Sequence, residues 1–331
     1  MRKFVLMRLA GLVLVLLAMT LAIFLLRQVV PSDPARAAVG PNAPESVVKL
    51  KREELGLDKT VYTQYFDYLG NVVHGDFGTS TRTLAPVSDD IRTYFPASLE
   101  LMLAAILVAA VLAAILALGQ TLLKRSGFLR VALLGGASAP IFLVAELLLL
   151  FCWFKLAWLP GGGRTSLPDA PTGPTGLLTV DSVLAGRPDA FWDACQHLLL
   201  PAFTLALPMG VAVGRTLRSS LVGTMRQDYI RTARSKGLTE GGVLRRHALR
   251  NSATGALSMA GLQVGLLLAN LLVVERIFGW PGLGSYTVES LGRSDLSAVL
   301  GVALVFGVIF IVTNTIVDLL QALADPRVAL E

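Results

Sequence analysis

The sequence predicts an all-α membrane protein with about six transmembrane helices and a small helical insertion after the first. Three observations carry this expectation. Of 331 residues, 54% are hydrophobic and only 16% are charged, with a mean hydropathy of +0.65, which excludes an ordinary soluble domain. Six apolar segments approach or reach the roughly 20 residues that a helix needs to cross a hydrocarbon core of about 30 Å. Lys and Arg gather in alternate connections between these segments, so positive-inside topology accounts for the formal charge of +6 better than a nucleic-acid surface does.

The first segment, Leu9–Leu26, follows Arg2, Lys3 and Arg8. It is longer than the usual core of a cleaved signal, and Arg27, Pro31, Asp33 and Pro34 precede the small residues Ala35-Arg36-Ala37, so residues 1–30 are expected to be a retained transmembrane helix. Residues 31–96 are expected to form an extracytoplasmic insertion. Pro44 to Leu55 reads as an amphipathic helix. Asp58 or Thr60 is placed to cap a second, in which Tyr62, Tyr65, Phe66, Leu69, Val72 and Val73 recur at helical spacing. That stripe is expected to pack the insertion onto the spans rather than to stack a ligand. Gly70, Gly75 and Gly78 then punctuate a return through GDFGTS.

Residues 97–331 supply the remaining spans: Leu99–Leu123, Val131–Leu159, Leu198–Val213, Ala253–Val274 and Ala298–Leu320. The fourth of the six, Leu198–Val213, is short and contains Pro201 and Pro208, so a kinked helix that begins before its apolar run is expected. The Gly- and Pro-rich stretch from Gly161 is expected to be irregular. Gly161–Ser166 lacks the Gly-Lys-Ser/Thr ending of a phosphate loop, and no other stretch has a Walker-type pattern, so any ATP-driven step needs a nucleotide site on another chain.

Orientation follows from the basic connections. The N-terminus, the Lys124/Arg125/Arg130 connection and the loop 215–251 should be cytoplasmic, which places both termini inside a bacterial cell membrane. The loop is the most informative stretch. Nine basic residues from Arg215 to Arg250 face only Asp228 and Glu240, a net +7. Tyr229 to Ser235 favours a helix, Gly237 interrupts it, and Val243, Leu244 and Ala248 begin a second helical pattern, giving a bent two-helix loop. Composition alone leaves a solvated loop and a docking surface equally open.

DYIRTARSKGL followed by VLRRHALRN, together with ELGLDKTVYTQYFDYLGNVVHGDFGTS (Glu54–Ser80), YFPASLEL (Tyr94–Leu101), SAPIF (Ser138–Phe142), VERIFGWPGLG (Val274–Gly284) and DPRV (Asp325–Val328), resembles the permease subunits of binding-protein-dependent ABC importers, in the peptide/nickel branch. The resemblance implies a type I importer permease fold. It makes Ala233 and Gly237 the marks of a coupling helix that docks onto a separate ATPase, with Tyr229, Lys236, Leu238, Val243, Leu244, Arg246 and His247 as further coupling residues. It also places Glu275, Phe278, Trp280, Pro281 and Gly282 at an outer mouth near a docked binding protein, where the aromatic rings would equally serve as interfacial anchors. The implied partners are a second, homologous permease, two ATPase subunits carrying ATP and Mg, and an extracytoplasmic substrate-binding protein. The chain itself would be non-catalytic. The implied cargo is a di- or oligopeptide, with nickel the alternative. Ala253-Thr254-Gly255 and Gly241-Gly242 depart from the family's usual proline and bulky or charged residues.

Glu146 lies well inside the third span, where a carboxylate is costly in lipid. It should either pack between helices, hydrogen-bonded or protonated, or line a translocation path. His74, His197 and His247 lie on separate loops, with no metal-ligand spacing, and Cys152 and Cys195 are read as free thiols. A secondary transporter or channel would call for several intramembrane ionisable groups or a repeated half, and a membrane enzyme for an acid–base or metal constellation; neither pattern is legible.

Overall fold

The computed structural model describes residues 2–29, 34–40, 43–54, 56–122, 133 and 135–324. Its helices are α1 (Arg2–Val29), α2 (Pro34–Val39), α3 (Glu45–Glu54), α4 (Val61–Val73), α5 (Val87–Leu122), α6 (Ile141–Leu148), α7 (Leu178–Leu184), α8 (Pro188–Met225), α9 (Asp228–Ser235), α10 (Glu240–Val243), α11 (Leu249–Ile277), α12 (Leu283–Gly292) and α13 (Leu296–Ala324). π-helical turns occupy Leu149–Lys155 and Leu244–Ala248. Among the described residues the β structure is limited to an isolated bridge between Thr79 and Pro86. The chain divides into two compact units, residues 2–95 with 286–309, and residues 96–285 with the chain from Phe310 onward.

In the unit containing the N-terminal helix, α1 is one continuous helix of 28 residues. α3 and α4 are the two helices expected in the insertion, whereas α2 is announced by no apolar repeat. Thr60 takes the extended N-cap position of α4, but its hydroxyl bonds Thr63 Oγ1 rather than a helix N–H. Tyr65 and Tyr68 pack on Phe24 of α1, with ring centroids 5.4 and 5.9 Å apart. Part of the aromatic stripe therefore docks the insertion onto a span, as expected, while Tyr62, Phe66 and Val73 stay exposed.

The GDFGTS return is pinned by a buried polar network in the same unit. Ser80 Oγ donates to Asp295 Oδ2 at 2.5 Å, and Asp295 Oδ1 accepts the Ala298 N–H at 3.2 Å, capping α13. Tyr286 donates to Asp90 at 2.8 Å, stacks on Tyr94 and lies under the Arg82 guanidinium. Burial pushes the Tyr286 hydroxyl well above the ordinary phenol range, and the Asp90 carboxylate adds to the shift, so it stays a hydrogen-bond donor.

The other unit is built around α8. The most apolar window of this helix is 72% buried, against 22–39% for the other helices long and apolar enough to cross a membrane. α8 starts at Pro188, before its apolar run as expected, and proline suits the first helical turn because no donor is needed there. α6, α7 and α11 all pack on it. Against α5 the approach is close: a Cβ on Gly210 would lie 2.8 Å from Leu112 Cβ, and one on Gly214 2.9 Å from Ala113 Cα. Small residues four apart on both helices let the backbones meet, the packing that membrane helices rely on where water supplies no driving force.

The third expected span, Val131–Leu159, is not a single helix. Residues 135–138 are helical, the chain breaks at Ala139-Pro140, α6 restarts, and it passes into a π-helical turn. Proline lacks an N–H and pushes the preceding residue out of the helical region, which explains the break. Residues 131, 132 and 134, the Lys124/Arg125/Arg130 connection, Leu55 and Asp325–Val328 lie outside the described residues.

Candidate functional site

The basic loop begins where Gln227, in an extended conformation, leads from α8 into α9. α9 closes with Gly237 at φ +81°, the Gly237 N–H donating to Arg234 O at 2.9 Å and the Leu238 N–H to Ala233 O at 3.4 Å. These are the two reversed bonds of a Schellman motif, in which one residue must adopt the left-handed conformation and a side chain just beyond it packs back on the helix. Ala233 and Gly237 are the third-last and first-following positions of that motif. Their separation by four residues is therefore the geometry of a helix stop.

The two arms share a miniature core. Ile230, Ala233 and Val243 are buried together, with Met225 and Leu238 packed against them. Ala248 joins Leu221 and Ala117 in a second cluster, flanked by Leu244, so the returning arm is seated on α5 and α8. Thr239 caps α10 by accepting the Gly242 N–H at 3.3 Å. Arg234 donates to Glu240 at 2.7 and 3.2 Å across the turn, and that hydrogen bond raises the Arg234 pKa above its usual value. Asn251 donates to the Tyr229 hydroxyl at 2.8 Å. The exterior then carries Arg231, Lys236, Arg245 and Arg246 in solvent, with His247 half-buried. Chemically this is a preorganised cationic knob suited to an acidic or polar protein surface.

At the far end of α11 a second constellation forms within the same unit. Glu275 is fully buried, accepting from Ser98 Oγ at 2.5 Å and from the Gly284 and Ser285 N–H groups at 2.7 and 3.0 Å. Trp280 Nε1 donates to Ala97 O at 2.9 Å, and Gly163 N donates to Phe278 O at 2.9 Å. Arg164 donates to Glu100 at 2.6 Å and to Gly176 O at 2.9 Å, while Thr179 donates to Glu100 through both its N–H and its hydroxyl, at 2.7 Å each.

Residues 110–330 match the family described as binding-protein-dependent transport system inner membrane component, and residues 1–102 match that system's N-terminal membrane-component family. The chain belongs to this family of permeases. It is 36% identical over 322 residues to the probable D,D-dipeptide transport system permease protein DdpB of Escherichia coli, covering 96% of this chain and 95% of that one. It is 37% identical to the di/tripeptide transport system permease protein DppB of Pseudomonas aeruginosa, over 99% of both chains. It is 34% identical to the glutathione transport system permease protein GsiC of Salmonella choleraesuis, again over 99% of both. The expected type I permease fold and the peptide/nickel branch are thus shown.

The structure sorts the expected coupling residues of the permease by burial. Ala233 and Val243 are interior, and their contribution is to hold the arms together. Tyr229, Lys236, Gly237 and Arg246 lie on the outside, with Leu238, Leu244 and His247 between. Burial bears on the interfacial-anchor alternative for the expected outer-mouth residues: Glu275, Phe278, Trp280 and Gly282 are buried in the chain itself, so the two rings pack in its interior rather than anchor in the membrane interface. Pro281 alone of the five is exposed. The reason is the Glu275 carboxylate, which gathers the N–H groups of the following turn and folds the aromatics inward beneath it.

For Glu146 the structure removes one of the two expected alternatives. The residue is exposed on α6, beside exposed Phe142, Leu143 and Leu147, and so is not packed between helices of this chain. Arg164 and Glu100 went unnoticed in the sequence. The signal was present, since Glu100 stands at the start of the second span, where a carboxylate entering the membrane asks for a partner. A cavity of about 810 Å³ lies between α5, α8 and α11, with Arg215, Arg218, Thr216, Ser219, Ser220 and Gln263 on its polar side.

Proposed function

We propose that this permease imports di- or oligopeptides, coupled through the loop 215–251 to ATP hydrolysis on separate subunits. A second, homologous permease completes the path, an extracytoplasmic binding protein delivers the peptide, and ATP and Mg are held by two ATPase subunits. Both termini and the basic loop face the cytoplasm. The observation that carries this reading is the Schellman-closed knob at Ala233–Gly237, rigid within itself and cationic outside, which suits a lever that transmits force. ATPase closure pushes the knob, and because the returning arm is seated on α5 and α8 the push reaches the spans as a rigid-body rotation. The relatives described as dipeptide, di/tripeptide and glutathione permeases support a peptide cargo.

The cavity near Arg215 and Arg218 is the cytoplasmic end of the path, where two guanidinium groups favour a departing carboxylate. Glu146, exposed on this chain within a span, meets either that path or the second permease. Uptake of labelled dipeptide and of Ni²⁺ by cells with and without the chain tests the cargo: peptide uptake that depends on the chain supports the reading, and Ni²⁺ uptake alone refutes it. In Glu146→Gln, lost uptake with an intact complex places the carboxyl in the path, whereas a dissociated complex places it at the subunit interface.

A further inference from the structure

We infer that α4 is not a soluble part of the insertion but lies in one leaflet of the bilayer, on the insertion side, with Tyr62, Phe66 and Val73 against lipid acyl chains. The depth of the helix carries this. Tyr65 Oη reaches Thr20 Oγ1 at 3.2 Å and Leu17 O at 3.4 Å. With a rise of about 1.5 Å per residue, Thr20 lies roughly 9 Å and Leu17 roughly 13 Å below the end of the apolar run at Leu26. Tyr68 gives a second marker, on a different span. It shares a small cavity with Leu300, Gly301 and Leu304 of α13, and Leu304 is about 12 Å along that helix from Leu296. Both tyrosines of α4 are thus packed on α1, and Tyr68 also faces α13, below the level where those helices emerge.

The composition of α4 fits that level. Its 13 residues make a helix of about 20 Å, too short to cross a bilayer. At 100° per residue, Tyr65, Tyr68 and Val72 form the face turned to α1 and α13. Tyr62, Phe66, Leu69 and Val73 form the adjoining sector, and Thr63, Asp67, Gly70 and Asn71 the remaining one. In the middle sector Tyr62 is exposed to 81%, Phe66 to 68% and Val73 to 76%, while Leu69 is half-buried. On the polar sector Asp67 accepts from Lys59 at 2.7 Å. Protein, lipid and water thus each receive one side of the helix, the arrangement of an interfacial amphipathic helix sunk about 5–10 Å into the headgroup boundary. At the depth of Thr20, Leu21 and Leu25 of α1 are themselves exposed, so the surrounding layer is apolar.

The test places bimane on single cysteines, Tyr62→Cys, Phe66→Cys or Asp67→Cys, in the full chain with Cys152→Ala and Cys195→Ala, reconstituted in vesicles with its co-purifying partners. Tyr62, Phe66 and Asp67 are exposed, so the replacements remove no buried group. Brominated acyl chains should quench the probes that replace Tyr62 and Phe66, while aqueous iodide does not; the probe that replaces Asp67 should show the reverse. Iodide quenching at Tyr62 and Phe66 without bromolipid quenching would overturn the inference by placing the stripe in water. Shielding from both quenchers would overturn it by showing that a protein covers the stripe, either a second permease or, where the shielding needs added binding protein, that partner.

Discussion

Gly237 shows how much one backbone angle decides. At φ +81° with open space around its missing Cβ, it is required for its conformation and not for clearance. Gly237→Val should cost the loop at least the 1–2 kcal/mol of a left-handed L-residue, and the two reversed bonds should open. Expected is a loss of ATPase co-purification or of uptake per ATP hydrolysed, while Gly237→Asn, which tolerates the left-handed region, retains most of both. Arg164 makes the complementary point about charge. Its side chain and that of Glu100 are 19% and 5% exposed, so Arg164→Met leaves a buried carboxylate with the Thr179 hydrogen bonds but no counter-charge, at a cost of about 3–5 kcal/mol. Thermal unfolding in detergent should show a large drop for Arg164→Met, and a smaller one when Glu100→Gln is added. Neither role follows from residue type alone, because an arginine in a Gly-rich loop has no visible partner 64 positions away in sequence.

Among the elements, the α5–α8 crossing is the most demanding. Gly210 and Gly214 meet Ala109, Leu112 and Ala113 at van der Waals distance, leaving no room for a branched side chain. Gly214→Val should overpack the crossing by about 1–3 kcal/mol and lower the melting temperature in detergent. Gly223→Ala, on the same helix but with nothing near its Cβ, should not lower it. The start of α8 before its apolar run was legible from the shortness of that run and from Pro201 and Pro208, and the two helices of the insertion from their periodicity. The break at Ala139-Pro140 was legible as a motif but not as an interruption, since hydropathy is continuous across it. The inward turn of Phe278 and Trp280 was hidden for a different reason: aromatic residues at the end of a span look the same whether they face headgroups or their own core.

At the level of the whole molecule, charge distribution and hydropathy reach furthest. The loop's net +7 is exposed, so its attraction to an ATPase should be screened beyond a Debye length of about 8 Å at physiological salt. Co-purification of ATPase with the detergent-solubilised permease should fall between low and high salt, and fall further in Lys236→Gln/Arg246→Gln. Salt-independent association would assign the contact to apolar residues of the knob. Membrane-impermeant thiol labelling of single cysteines replacing Ser235 should succeed only from the cytoplasmic side; labelling from outside would invert the topology and remove the coupling loop from reach of ATP.

The sequence alone determined that this chain belongs in a membrane, where its apolar runs lie, and which loop carries the positive charge, because hydropathy and charge are summed along the chain and need no partners. It also marked Ala233 and Gly237 through resemblance. Only the tertiary structure decided how those residues close the helix, that Glu275 and Trp280 face inward while Glu146 faces out, and that α4 packs on α1. Burial and pairing depend on residues distant in sequence, and a linear pattern does not contain the distances between them.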